Sequence, residues 1–153
     1  MSLLKTIDTN PSTAPRESKP LPERLIAGDP AFKTWAQDVA RGEMIHTGVW
    51  EATPGETRSI KGETFEFCHI LAGVVEITPD GGEPAVYKAG DSFVMKPGFT
   101  GMWKTIETVR KIYVTVIGPS ALFGHGFTVA EYQSRASGQL ERHEAISVEF
   151  NAV

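Results

Sequence analysis

The chain has 153 residues, 41% hydrophobic and 22% charged, with a net charge of −4 at pH 7 and one cysteine. That length suffices for a core without covalent staples, and the acidic balance excludes the electrostatic footprint of a nucleic-acid or anionic-membrane binder. Cys68 alone makes neither an intramolecular disulfide nor a cysteine-rich zinc site, and no run approaches the roughly 18 apolar residues that span a bilayer.

The opening Met1–Asp8 is too short in its apolar part, and too polar afterwards, to read as a secretory signal. A cytoplasmic protein is the expectation. Residues 1–28 form a proline-rich arm, in which Pro11, Pro15, Pro20 and Pro22 are interleaved with Ser12, Thr13 and Ser18. Proline removes backbone donors and biases the residue before it away from helix, so the arm is expected to be extended. Whether it is a loose tail or docks on its own domain or another subunit stays open.

A barrel with a leading helix is expected over 29–117. Asp29 suits an N-cap and Pro30 the first helical position; Phe32, Trp35, Ala36 and Val39 then recur at i, i+3, i+4 and i+7. Gly42 would end this short helix, whose aromatic stripe reads as core. From Glu43 the period changes to two. Strands are predicted at Met44–Glu51, Thr57–Ile60, Thr64–Leu71, Val74–Thr78, Pro84–Lys88, Ser92–Met95, Gly101–Ile106 and Val109–Ile117, many of them separated by Gly, Pro and Asp turns. Many short strands with no helix between them indicate a sandwich or barrel. Residues 118–153 are expected to add a second helix, with Thr128 and Glu131 as its capping box and Gly138 as its stop, and a last strand around Ile146, Val148 and Phe150.

Two segments carry a resemblance. The first runs Glu66-F-C-H-I-L-A-Gly73; the second is G-D-S-F-V-M-K-P-G, Gly90 to Gly98, continuing through F-T-G-M-W to Trp103. With Trp50, Pro54-Gly55 and the run Thr108 to Val114, this pattern resembles the small single-barrel cupins related to ureidoglycine aminohydrolase and the ethanolamine-utilisation cupin. The resemblance covers Trp50 to Val116. It implies an all-β, RmlC-like jelly-roll barrel, here with short N- and C-terminal helical extensions, and a homodimer. Fold does not fix function, and that family is functionally mixed.

Most catalytic cupins hold a divalent metal with a glutamate and three histidines, and Glu66 stands at the glutamate position. The first two histidine positions, however, fall on Ile60 and Gly62; slipping the register by one gives Ser59 and Lys61, or Lys61 and Glu63. The third falls on Gly101. The ligand count therefore disfavours a metal, and no cofactor is predicted. Side chains alternate along a strand. If Glu66 points inward, Cys68 and Ile70 do too, while Phe65, Phe67 and His69 face out. His46 could face either way, and His125 and His143 read as surface residues.

Glu66 then needs a partner, for which Lys104, Arg110 and Lys111 are candidates. On the strand from Val109, Lys111 and Tyr113 share one face and Ile112, Val114 and Val116 the other. Hydrophobicity favours the aliphatic face as core; were the Lys111 face inward, Glu66, Trp103, Lys111 and Tyr113 would line one ligand-binding pocket. Three readings stay open. One is a metal-independent enzyme on a small nitrogen-containing metabolite, with Glu66 as acid or base, solvent-reachable and with a raised pKa. The second is a non-catalytic small-molecule-binding or accessory cupin, with a sealed lumen and Glu66 already paired. A metal-dependent cupin enzyme is the third. Replacing Glu66 by Gln is expected to leave folding largely intact.

Overall fold

The computed structural model describes residues 2–118. In chain order its strands are β1 (Arg16–Ser18), β2 (Leu25–Gly28), β3 (Phe32–Ala40), β4 (Ile45–Ala52), β5 (Gly55–Ile60), β6 (Phe65–Pro79), β7 (Ala85–Lys88), β8 (Ser92–Met95) and β9 (Thr100–Val116). The all-β expectation holds. The N-terminal helical extension does not: no helix occurs among the described residues. The expected C-terminal helix and strand lie outside them.

The segment read as a leading helix is β3, and its pairing shows why the period misled. Phe32 and Thr34 are buried on one face and Trp35 on the other, while Ala36 and Val39 are exposed. A register shift between Ala36 and Asp38 marks a bulge in the pairing with β4. A strand with apolar residues on both faces and a bulge in the middle mimics the three-and-four spacing of a helix.

Two long strands organise the sheet. β9 is flanked along its whole length, by β6 on one edge and by β5, then β4, on the other. The sequence breaks each of these strands in two, because their pairing slips near Ile70–Val75, where the ladder jumps from Ala72↔Arg110 to Val74↔Glu107. Gly73 sits in that bend with φ +83, and a Cβ there would lie 2.1 Å from the Thr108 carbonyl oxygen. The bend curls the sheet into a half-barrel around one core, which takes Phe32, Trp50 and Ile70 from one half and Val75, Ile77 and Trp103 from the other.

The arm is docked. β1 pairs with β3, Trp35 Nε1 donates to the Thr13 carbonyl at 2.9 Å, and Gln37 exchanges hydrogen bonds with the Asp8 backbone. Arg110 holds it from the other side: its guanidinium donates to Asn10 Oδ1 (2.9 Å), pairs with Glu51 (2.9 Å) and stacks 4.9 Å from the Trp35 ring centroid.

Candidate functional site

Strand alternation delivers the inward residues. β6 turns Glu66, Cys68 and Ile70 to the interior, and the register sets Thr115, Tyr113 and Lys111 of β9 opposite them. β4 continues the same rows with His46, Gly48 and Trp50. The inward face of β9 is thus the Lys111/Tyr113 face, against the hydrophobicity argument; Ile112, Val114 and Val116 are half-buried on the outside. The aliphatic face loses because the interior holds a buried ion cluster alongside its hydrophobic core, and Lys111 on the other face of β9 belongs to that cluster.

At its centre is a three-charge cluster. Glu66, 3% exposed, takes a hydrogen-bonded ion pair from Lys61 Nζ on Oε2 (2.9 Å) and a second from Lys111 Nζ on Oε1 (3.3 Å). Lys111 reaches past Cys68 Sγ (3.6 Å) to do so. Its ammonium also lies 4.5 Å from the Trp50 ring centroid and 4.4 Å from that of Trp103, two indoles meeting edge to face at 5.5 Å. Trp103 Nε1 donates to Thr105 Oγ1 at 3.1 Å.

Electrostatics follow from this geometry. Burial alone would raise the Glu66 carboxyl, but the Lys111 and Lys61 charges and their hydrogen bonds outweigh it and hold the group down at about 2. Burial, then the Glu66 charge, pushes the Cys68 thiol up to about 12. Burial would lower Lys111, yet Cys68 and Glu66 together hold it above its ordinary value. Tyr113 is pushed up to about 12 by burial, with Arg16 opposing the change.

All four residues proposed from the sequence, Glu66, Trp103, Lys111 and Tyr113, are buried in this interior. Lys111 touches both Glu66 and Trp103. Tyr113 closes the next row, with its hydroxyl so near Gly48 that a Cβ there would lie 2.6 Å from it. Of the candidate partners, Lys104 and Arg110 pair instead with Glu56 and Glu51. His69 faces outward to Ser92 Oγ (2.7 Å), and His46 is buried with Nε2 2.7 Å from the Glu43 carbonyl, its pKa lowered by burial. His125 and His143 lie outside the described residues.

Lys61 is the member that sequence reasoning passed over. It lies one register slip from a histidine position, where it reads only as a missing imidazole. Trp50 enters the sequence reading only as part of a family pattern.

The metal-ligand positions do not fit a divalent cation. Ile60 is 43% exposed; Gly101 has no room for a side chain, since a Cβ would lie 2.4 Å from the Thr78 carbonyl oxygen. The Lys61 ammonium stands where a cation would bind Glu66. Among the described residues no group of three or more His, Cys, Asp or Glu is placed to hold a metal. Nor, among them, is any helix long and apolar enough to cross a membrane. A cavity of about 320 Å³ beside β1 is lined by Glu17, Ser18, Lys19, Ala31, Phe32 and Lys33, none of which belongs to the charge cluster.

Residues 39–113 match the model of the EutQ-like cupin domain. A DUF861-family protein of unknown function from Pseudomonas syringae superposes with a TM-score of 0.65 at 24% identity, over 72% of this chain and 46% of that one. The chain thus spans under half the length of that relative. A DUF861-family protein from Thermotoga maritima is 37% identical over 42% of this chain and 73% of its own, with a TM-score of 0.40. The Clostridium difficile EutQ protein superposes at 0.51 with 17% identity, over 65% and 74% of the two chains. No curated protein sequence matches the chain.

Proposed function

We propose, from the match of residues 39–113 to the EutQ-like cupin domain, that the chain is a non-catalytic small-molecule-binding cupin whose lumen is set by Lys61, Glu66 and Lys111. One observation carries this reading: Glu66 is already paired on both carboxylate oxygens, at 2.9 and 3.3 Å, inside a buried interior. A carboxyl held down at about 2 is a poor proton carrier near neutral pH, because a general acid or base works best with a pKa near the operating pH. The acid–base enzyme needs a solvent-reachable Glu66 with a raised pKa, and this geometry supports the opposite. The metal-dependent reading meets an ammonium where its cation would sit.

In this reading Trp103 and Trp50 clamp Lys111 and wall the lumen, and Tyr113 presents its hydroxyl to whatever enters. The test is recovery of a bound molecule: native protein is purified, denatured, and the released small molecules are identified by mass spectrometry. A compound present at about one per chain in wild type, and depleted in Lys61→Gln, supports binding. Turnover of a nitrogen-containing metabolite that falls a hundredfold in Glu66→Gln would refute the non-catalytic reading.

A further inference from the structure

The lumen's charges and its unused hydrogen-bonding groups point the same way. Lys61 and Lys111 bring two positive charges to the single carboxylate of Glu66, so one positive charge is left over. Cys68 does not cancel it, since its thiol stays protonated far above neutral pH. The lowered pKa of His46 leaves that side chain neutral as well. A surplus charge in a buried site is costly without a counter-charge.

The second observation concerns buried atoms with no hydrogen-bond partner among the described residues. They include Trp50 Nε1, Tyr113 Oη, Thr34 Oγ1 and Arg16 Nη2. Trp50, Tyr113 and Thr34 are at most 3% exposed. An indole N–H and a guanidinium N–H can only donate, so whatever completes them must accept. The register aligns the donors: Arg16 of β1 stands opposite Thr34, Thr34 opposite Trp50, and Trp50 opposite Lys111, one row across four strands. Opposite residues in an antiparallel ladder share a face, and Arg16 acts electrostatically on Tyr113 in the adjoining row. Water quenches a hydroxyl, but it does not neutralise a surplus charge.

We propose that the lumen binds a small carboxylate-bearing molecule, held between the Lys61/Lys111 surplus and Arg16 of the docked arm, with Trp50 and Tyr113 as its hydrogen-bond donors. The proposal rests on the small-molecule-binding reading and adds the ligand's charge and a residue from outside the cupin-like segment. Arginine suits the role, since its planar fork matches a carboxylate's two oxygens. The arm thereby becomes part of the site instead of a tether.

Calorimetric titration of the full chain at fixed ionic strength tests it, with acetate and succinate as probes and acetamide and succinamide as their uncharged counterparts. At least one acid should bind, at least tenfold more tightly than its amide. Arg16→Gln and Tyr113→Phe, both mild changes, should each weaken that acid at least tenfold, and Arg16→Gln should leave the melting temperature of the free protein unchanged. Amides that bind as well as the acids would overturn the proposal, as would acid binding that ignores both substitutions. If neither acid binds, the anion assignment is wrong. The purified protein then separates the two ideas: a neutral or cationic compound recovered from it keeps the binding reading, and an empty protein refutes both.

Discussion

Glu66→Gln removes the one negative charge between two ammonium groups while nearly conserving the side chain's shape. The carboxyl falls from 4.5 to about 2 on folding, which corresponds to about 3 kcal/mol at roughly 1.4 kcal/mol per pH unit. Breaking a buried ion pair by deleting one partner costs a similar ~3–5 kcal/mol. This revises the sequence-based expectation that Gln would leave folding largely intact. The sign follows from a depressed carboxyl: its stabilisation is fully present above the unfolded value of 4.5 and is lost as pH falls through about 2. Urea denaturation of both proteins across pH 7 to 2 is the assay. The wild-type advantage should be about 3 kcal/mol at pH 7, should fall to less than about half of that by pH 3, and should shrink further towards pH 2. A difference below about 1 kcal/mol at pH 7, or one independent of pH, would refute the reasoning.

Other perturbations probe the same interior. Lys111→Met should cost less than Glu66→Gln, about 1–2 kcal/mol, because it leaves a balanced Lys61–Glu66 pair and loses mainly the contacts with the two indoles; the acid limb of its stability curve should move to higher pH as Glu66 rises from about 2. Gly48→Ala should destabilise by about 3 kcal/mol, the upper end for overpacking, since the new Cβ would lie 2.3 Å from the Trp35 carbonyl oxygen; a melting temperature within a degree or two of wild type would contradict it. The Cys68 thiol, fully buried and pushed up to about 12, should resist a thiol reagent at pH 8 in the native protein and react once it is unfolded.

The period-two pattern from Glu43 made most of the barrel legible, because alternation records which face of a strand is covered. It also placed Cys68 and Ile70 with Glu66, and Phe67 and His69 opposite. Three things escaped it. β3 has apolar residues on both faces and a bulge, so its spacing imitates a helix. β9 keeps its polar face inward, and a rule that buries the greasier side chooses wrongly when the interior holds an ion cluster. Lys61 lies on the turn after β5, where alternation says nothing, and reaches Glu66 only because the turn folds back, with the Lys61 N–H donating to the Phe99 carbonyl. The part played by Arg16 depends on the pairing of β1 with β3, which joins two segments that no local pattern connects.

The position of β9 in the chain has a consequence for how the protein is made. β4, β5 and β6 all take β9 as a partner, yet β9 is the last described strand to be synthesised. Until residue 116 has emerged, those three strands present open edges and the half-formed lumen has its carboxylate and one lysine but lacks Lys111. Folding therefore waits on a contact between residues far apart in sequence, the condition under which β proteins fold slowly and are most exposed to mispairing. A chain truncated before β9 should be an insoluble product in cells, not a smaller barrel.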